Sequence, residues 1–219
     1  MHFYRRSIHK KYTLSEEEKK YIKFTAYDTL IELEIKQLPV FRQFCQIIDS
    51  TIFILSMQFV AREEGHDEDY FLIGGRGIVM YVQVTGHYII LFDENQTPEQ
   101  IRWVIAKLIY LVKSGELKKH PNVFFLADHD NVGQSEAFAY QFTCPDIILQ
   151  ECGIKNAADI IERCGIPFFH ANRKSNLLKL VTYSKSLQFL EKTLKKNFSS
   201  YIDRIKQDYL MVGFNKRER

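Results

Sequence analysis

The stretch of residues 87–116 constrains the fold of this chain more than any other part of the sequence. It begins with a β-type run at residues 87–92, continues through a polar turn, and then carries several helix-start signals together. Thr97 is suited to the N-cap, Pro98 to the first helical position, and Gln100 to closing a capping box with Thr97. A strand, a turn and a well-capped helix are therefore predicted in succession.

The predicted helix, residues 97–114, has a wide apolar face. Its apolar residues recur at the three- and four-residue spacing of a helix with one buried side. These residues are Ile101, Val104, Ile105, Leu108, Leu111 and Val112. The pattern is typical of the central helix of a small domain, packed against a sheet.

The segments before this helix predict the sheet. Residues 51–59, 70–73 and 77–84 are rich in β-branched and aromatic side chains, which favour strands. The glycines between the last two segments indicate a hairpin turn, because the Gly-Lys-Ser/Thr of a phosphate-binding loop is missing. Together with residues 87–92, these segments predict an α+β fold with a small, mainly antiparallel sheet of three or four strands on the central helix.

Further helices are predicted on both sides of this core. Ser15 opens a capping box, and an apolar pattern continues from it to about residue 36. Pro39 is placed to begin a second, shorter helix through residue 48. Residues 175–194 and 199–210 have the pattern of amphipathic C-terminal helices.

Composition indicates a globular protein, with 46% hydrophobic and 26% charged residues among 219. The basic N-terminal residues lack the apolar core of a secretory signal, and no apolar run is long enough to cross a bilayer. A cytoplasmic protein without a membrane partner is therefore expected. Its four scattered cysteines predict free, buried thiols; they are Cys45, Cys144, Cys152 and Cys164.

Positive charge is concentrated at the C-terminal end of the chain. Between Arg173 and Arg219 there are twelve Lys and Arg against four Asp and Glu, a net charge of +8, while the whole chain carries +3. Such a segment is able to meet nucleic acid or an acidic protein surface. A lysine-rich helix face exposed to solvent is the alternative interpretation.

The predicted strand ends in a polar turn, and R-x-x-x-A at Arg102 to Ala106 then leads into the buried helix. This is the first of three blocks that resemble the ImmA/IrrE family of zinc metallopeptidase-like proteins, in which the helix continues as His-Glu-x-x-His. Residues 134–145, QSEAFAYQFTCP, are similar to a second family helix, with Phe138, Ala139, Phe142 and Pro145 in register. A looser similarity to a helix-turn-helix-like end follows at residues 153–166. The resemblance implies a zincin-like domain at residues 13–172, followed by a basic helical extension at 173–219.

The metal-binding motif itself is missing from the matching positions. The resemblance places the family's first histidine at Lys107, its general base at Leu108 and its second histidine at Leu111. The third-ligand glutamate falls on Gln134, and Glu136 is the acid that remains nearby. A zinc peptidase needs two imidazoles one helical turn apart and a carboxylate beside them. These five positions are therefore predicted to be vestigial, with no catalytic residue, no metal ligand and no cofactor.

A rebuilt metal site is an alternative that the sequence leaves open. His120, His129 and Glu136 carry donors of the right kind, and no His-Glu-x-x-His exists in any register. A polar loop followed by a helix with a carboxylate near its start is the simpler interpretation of the same residues.

The sequence thus predicts a catalytically inactive ImmA/IrrE-like protein that acts by protein–protein binding. The resemblance implies a regulatory or anti-defence protein of a phage or mobile element, whose partner is a transcriptional regulator or a host factor. Two alternatives remain: a metallopeptidase with a rebuilt site, and a regulator that binds nucleic acid through its basic C-terminal helices.

Overall fold

The computed structural model describes residues 13–72, 75–127, 132–180 and 185–215. The chain forms two compact units. One comprises the first 25 residues and residues 41–139, and the other comprises residues 26–40 and 140–219. The division predicted from the sequence, at residue 172, concerns the extent of the family resemblance and stays a prediction.

The first unit contains a five-stranded sheet with helices. Its elements are α1 (Glu16–Glu32, up to residue 25), β1 (Gln46–Ile47), β2 (Ile52–Ser56), α2 (Met57–Glu63), β3 (Gly77–Val82), β4 (His87–Phe92), α3 (Pro98–Lys113), α4 (Glu116–Lys119), β5 (Phe125–Leu126) and α5 (Val132–Thr143, up to residue 139). In the described residues the strand order is β1-β2-β4-β3-β5. Strands β2 and β4 are parallel, and the other neighbours are antiparallel. The predicted α+β class is confirmed, with five strands instead of three or four.

Helix α3 lies on the sheet, in contact with β3 and β4, as the apolar pattern predicts. The capping box is present: Gln100 N donates to Thr97 Oγ1 at 3.4 Å, and Thr97 N donates to Gln100 Oε1 at 3.1 Å. The contact is close at Gly77 in β3. A Cβ atom at this position would lie 2.1 Å from Val104 Cγ1 and 3.2 Å from Leu108 Cδ1. Glycine therefore lets the helix approach the strand.

The predicted strand at residues 51–59 is too long. Strand β2 ends at Ser56, whose Oγ accepts a hydrogen bond from Phe59 N at 3.0 Å and thereby caps α2. The residues after Ser56 are helical because this side chain satisfies an N–H group of the first turn. Strand propensity depends on residue types alone, so it does not predict a capping hydrogen bond made by one particular side chain.

Three other predictions are wrong. Of the strand predicted at 70–73, residues 70–72 form turns closed by the bonds Tyr70 N to Asp67 O and Leu72 N to Asp69 O, and residue 73 lies outside the described residues. No helix forms at residues 39–48, where Phe41 has a φ of 58°, in the left-handed region that an α-helix excludes. The first helix ends at Glu32 instead of residue 36, and Glu34 follows with a φ of 49°.

The second unit is helical in its described residues. It contains the C-terminal part of α1, the last turn of α5, α6 (Asp146–Glu151), α7 (Ala157–Cys164), α8 (Phe168–Leu178), α9 (Gln188–Asn197) and α10 (Ser199–Asn215). The predicted helix at 175–194 is wrong as one element, because α8 ends at Leu178 and α9 begins at Gln188. The helix predicted at 199–210 is confirmed as α10 and extends to Asn215.

The cysteines are free thiols, as predicted, but differ in burial. Cys144, Cys152 and Cys164 are buried in the second unit, whereas Cys45 is exposed, so its predicted burial is wrong. In the helices that the structure describes, no span has the length and apolar character needed to cross a membrane.

Candidate functional site

Three of the vestigial positions lie in the buried part of α3. Leu108 is 0% exposed, Leu111 is 2% exposed and Lys107 is 5% exposed. Leu108 faces β3, since its Cδ1 atom would lie 3.2 Å from a Cβ atom on Gly77. All three side chains are buried, whereas a catalytic zinc site needs an open position for water.

The residues at these positions do not fit a zinc ion. A lysine ammonium has no lone pair to donate, and the two leucine side chains carry no donor atom. Among the side chains that the structure describes, no group of three or more His, Cys, Asp and Glu is arranged to hold a metal ion. Lys107, Leu108 and Leu111 therefore supply no ligand for a zinc ion like that of the family that the chain resembles.

The fourth vestigial position, Gln134 on α5, is part of a hydrogen-bonded chain. Tyr110 Oη donates to Gln134 Oε1 at 2.8 Å, and Gln134 Nε2 donates to Glu18 Oε1 at 3.3 Å. Glu18 also closes the capping box of α1, because its Oε2 accepts from Ser15 N at 2.8 Å. A glutamine supplies both an acceptor and a donor, so it is able to link the tyrosine to the carboxylate.

This chain lies at a cavity of about 280 Å³. The lining residues come from α1, α3 and α5: Glu17, Glu18, Tyr21, Ile22, Tyr110 and Gln134. Burial raises the pKa of Tyr110 to about 12, and the negative charges of Tyr21, when ionised, and of Glu18 act in the same direction. Tyr110 is therefore a neutral hydrogen-bond donor at physiological pH.

Sequence reasoning did not identify Glu18, Tyr21 or Tyr110 as site residues. Glu18 already had a local role in the capping box, and Tyr110 lies within the long buried run of α3. Tyr21 matched the apolar pattern predicted for α1 but is 62% exposed. Only Gln134 carried a signal, through its place in the second block of the resemblance.

The residues of the alternative metal site lie on different elements. His120 follows α4, with its Nε2 atom 3.9 Å from Glu116 Oε1 and its ring centroid 5.9 Å from that of Phe125. Glu136 is partly exposed on α5. His129 lies outside the described residues, so the rebuilt site stays a prediction.

A polar cluster that the sequence did not indicate lies at the carboxyl ends of β2 and β4. Because these strands are parallel, their ends meet at one edge of the sheet. Gln58 Nε2 donates to Asp93 Oδ1 at 2.8 Å, and Glu94 N donates to Gln58 Oε1 at 3.1 Å. Ser56 Oγ donates to the carboxylate of Glu94. The cluster ties the start of α2 to the loop before α3, which is a structural role.

The second unit has a buried ion pair. Lys174 is 1% exposed, and its Nζ atom lies 2.6 Å from Asp146 Oδ1 and 3.3 Å from Tyr140 O. Gln141 Nε2 donates to the other carboxylate oxygen of Asp146 at 2.9 Å. This cluster joins α8 to the start of α6 and to the end of α5.

Part of the positive charge between Arg173 and Arg219 is compensated within the second unit. Lys195 Nζ lies 3.2 Å and Lys206 Nζ lies 3.8 Å from the carboxylate oxygens of Glu151. These contacts fit a lysine-rich helix face with nearby acids. The predicted nucleic-acid interface stays a prediction, and residues 216–219 lie outside the described range.

Comparison of the chain with protein-family models, with curated proteins and with solved structures finds no match. The ImmA/IrrE resemblance therefore remains an interpretation of the residues quoted for it.

Proposed function

We propose that this chain is a catalytically inactive ImmA/IrrE-like protein that acts by binding a protein partner. We infer from the resemblance that the partner is a transcriptional regulator or a host factor, and that the chain is a regulatory or anti-defence protein of a phage or mobile element. One observation carries the proposal. At the positions of the family's helical metal ligands and general base, α3 has Lys107, Leu108 and Leu111, all buried.

Packing explains why such residues suit a scaffold that no longer catalyses. Burying a leucine side chain contributes about 1.5–3 kcal/mol relative to leaving it in water. A set of desolvated polar ligands without a metal would instead lower stability, because buried polar groups need partners. Leu108 and Leu111 thus favour a stable domain over a reactive cleft.

The neighbouring cavity supports a binding role. It combines aromatic rings, hydrogen-bond acceptors and an apolar residue, Ile22, within one concave surface. Binding sites commonly use a few fixed polar groups beside apolar and aromatic area. The chain from Tyr110 through Gln134 to Glu18 holds those polar groups in a defined geometry.

The first experiment restores the family's motif in α3 through Lys107→His, Leu108→Glu and Leu111→His. Losing buried leucines costs on the order of 2–5 kcal/mol each when the site does not adapt. We therefore expect the triple variant to unfold at much lower urea concentration than the natural chain in the absence of zinc. A matched control replaces three exposed residues of α9 and α10, Lys192→His, Lys196→Glu and Gln207→His, and should retain its unfolding midpoint.

The second experiment separates this function from a metallopeptidase. Purified chain should contain no stoichiometric zinc by elemental analysis, and its effect in cells should survive substitution of His120, His129 or Glu136. About one zinc per chain after mild dialysis would contradict the proposal. Loss of function from any of these three substitutions, with the unfolding midpoint unchanged, would also contradict it.

A further inference from the structure

We propose that the cavity formed by α1, α3 and α5 receives a basic side chain of the partner, with arginine preferred over lysine. The lining is acidic and aromatic: Glu17, Glu18, Tyr21, Ile22, Tyr110 and Gln134. The inference rests on the proposed protein-binding function and specifies what the partner presents to this surface.

The size of the cavity admits a single side chain. Its volume is about 280 Å³, at the lower end of the range of about 300–1,000 Å³ typical of pockets for drug-sized ligands. The methylene groups of an arginine would pack beside the exposed ring of Tyr21.

The charge of the lining selects a cation. Glu17 and Glu18 are acidic, and none of the described lining residues carries a positive charge. The nearby Lys19 is engaged by Glu16, with 2.6 Å between Nζ and Oε1. An anion would be repelled by the two carboxylates, and a neutral apolar side chain would desolvate them without a partner.

The carboxylate of Glu18 is held in place before any ligand binds. Its Oε2 accepts from Ser15 N at 2.8 Å and from Ser15 Oγ at 2.9 Å, while its Oε1 accepts from Gln134 at 3.3 Å. Each carboxylate oxygen has capacity for more than one hydrogen bond. Because the group is already ordered by neighbouring residues, a cation loses less entropy in binding it.

The tyrosines favour arginine over lysine. A planar guanidinium packs on an aromatic ring and donates several hydrogen bonds in one plane, whereas an ammonium is compact and strongly hydrated. Tyr21 offers an exposed ring at the cavity, with 62% of the residue accessible to solvent. Arginine is thus able to contact Tyr21 and a glutamate together.

The test is a titration of the full chain with acetylated and amidated Gly-Arg-Gly, followed by nuclear magnetic resonance. Two further peptides are titrated in parallel. One carries citrulline in place of arginine, which keeps the shape of arginine without its charge, and the other carries lysine. We expect saturable shifts of the Ile22 methyl and Gln134 side-chain signals with arginine, weaker binding with lysine, and the weakest with citrulline.

Two variants and a matched control assign the effect to the cavity. Glu17→Gln with Glu18→Gln should weaken arginine binding about three- to tenfold, as expected for the loss of two partly exposed ion pairs. Glutamine still closes a capping box, so the fold of α1 is preserved. Tyr21→Ser removes the aromatic ring and so tests independently whether that ring contributes to arginine binding. Glu63→Gln removes one carboxylate charge from an exposed position of α2, outside the lining, and should leave binding unchanged.

Equal affinity for arginine and citrulline would overturn the inference, as would the absence of a saturable shift at Ile22. An equal loss of affinity with Glu63→Gln would overturn it too. These outcomes concern the cavity alone and leave protein binding through another surface in place. The proposed function fails separately, through the zinc content and the substitutions described for it.

Discussion

The two units each contain a hydrogen-bonded polar cluster, and the clusters differ in how they meet solvent. In the second unit, Lys174 and Asp146 form an ion pair with 1% and 7% of their side chains exposed. In the first unit, Tyr110, Gln134 and Glu18 form a chain at the wall of a cavity that solvent enters. The cluster of the second unit is therefore closed to solvent, whereas the cluster of the first unit is open on one side.

The difference separates a structural cluster from a candidate binding cluster. Removing a buried charge from water is unfavourable, so a closed ion pair persists where its hydrogen bonds are made inside the protein. Both carboxylate oxygens of Asp146 have such a bond, to Lys174 and Gln141. In the open cluster, the half-buried carboxylate of Glu18 lies at the cavity, where a ligand is able to replace solvent.

The closed cluster should show the largest effect when it is broken. Lys174→Met leaves the carboxylate of Asp146 buried without its cation, and such changes cost about 3–5 kcal/mol. We expect a correspondingly lower free energy of unfolding, measured by urea denaturation followed by circular dichroism.

A double variant shows that the loss comes from the unpaired charge. Asp146→Asn combined with Lys174→Met removes both charges and keeps an acceptor for Gln141, so stability should recover in part. If Lys174→Met alone costs less than about 1 kcal/mol, a value typical of exposed pairs, the distinction between the two clusters is wrong.

The next largest loss of stability is expected at the close contact between β3 and α3, the helix that carries Tyr110. In Gly77→Ala the new Cβ atom would lie 2.1 Å from Val104 Cγ1, so the helix or the strand must shift. Overpacking of this kind typically costs about 1–3 kcal/mol. Thermal and urea unfolding measure the loss.

Val104→Ala supplies the matched control, because it removes the atom that clashes. The double variant Gly77→Ala/Val104→Ala should lose less stability than the sum of the two single losses. Simple additivity of the two losses would contradict the proposed contact.

A smaller loss of stability is expected when the hydrogen-bond donor of the open cluster, the Tyr110 hydroxyl, is removed. Tyr110→Phe removes the hydrogen bond to Gln134 and keeps the ring, so it should cost about 1 kcal/mol. Gln134 lines the cavity and retains its bond to Glu18, which limits the loss. A loss as large as that of Lys174→Met would show that this cluster too is closed.

The same substitution should change how stability depends on pH. Burial raises the pKa of Tyr110 from 10.0 to about 12, so the folded chain disfavours its ionised form. The stabilising contribution is complete below about pH 10 and is lost as the pH rises towards 12. Tyr110→Phe should therefore flatten the alkaline fall of the thermal midpoint. An unchanged profile would contradict the assigned burial.

The smallest effect is expected at the exposed pairs of Glu151. Its partners Lys195 and Lys206 have 41% and 52% of their side chains exposed, so solvent screens both contacts. Glu151→Gln should change stability by less than about 1 kcal/mol, and added salt should reduce the difference further. Urea denaturation at two salt concentrations measures this. A loss of stability that added salt does not reduce would show that these contacts are shielded from solvent, like the ion pair of Lys174 and Asp146.

Local signals in the sequence were sufficient for part of the fold. The strand His87–Phe92, the cap at Thr97 and the buried face of α3 follow from residues close to one another in the chain. The strand predicted after residue 50 failed beyond Ser56, because one hydroxyl caps a helix there. Such a bond depends on a single side-chain conformation, which strand propensity does not contain.

The sequence by itself determined the start, the length and the apolar face of α3, and it showed that this helix has no His-Glu-x-x-His motif. Only the tertiary structure decided which polar residues meet. Tyr110 and Gln134 are 24 positions apart, and Glu18 and Gln134 are 116 positions apart. Capping and helical periodicity act within a few residues, whereas these contacts depend on how three helices pack around one cavity.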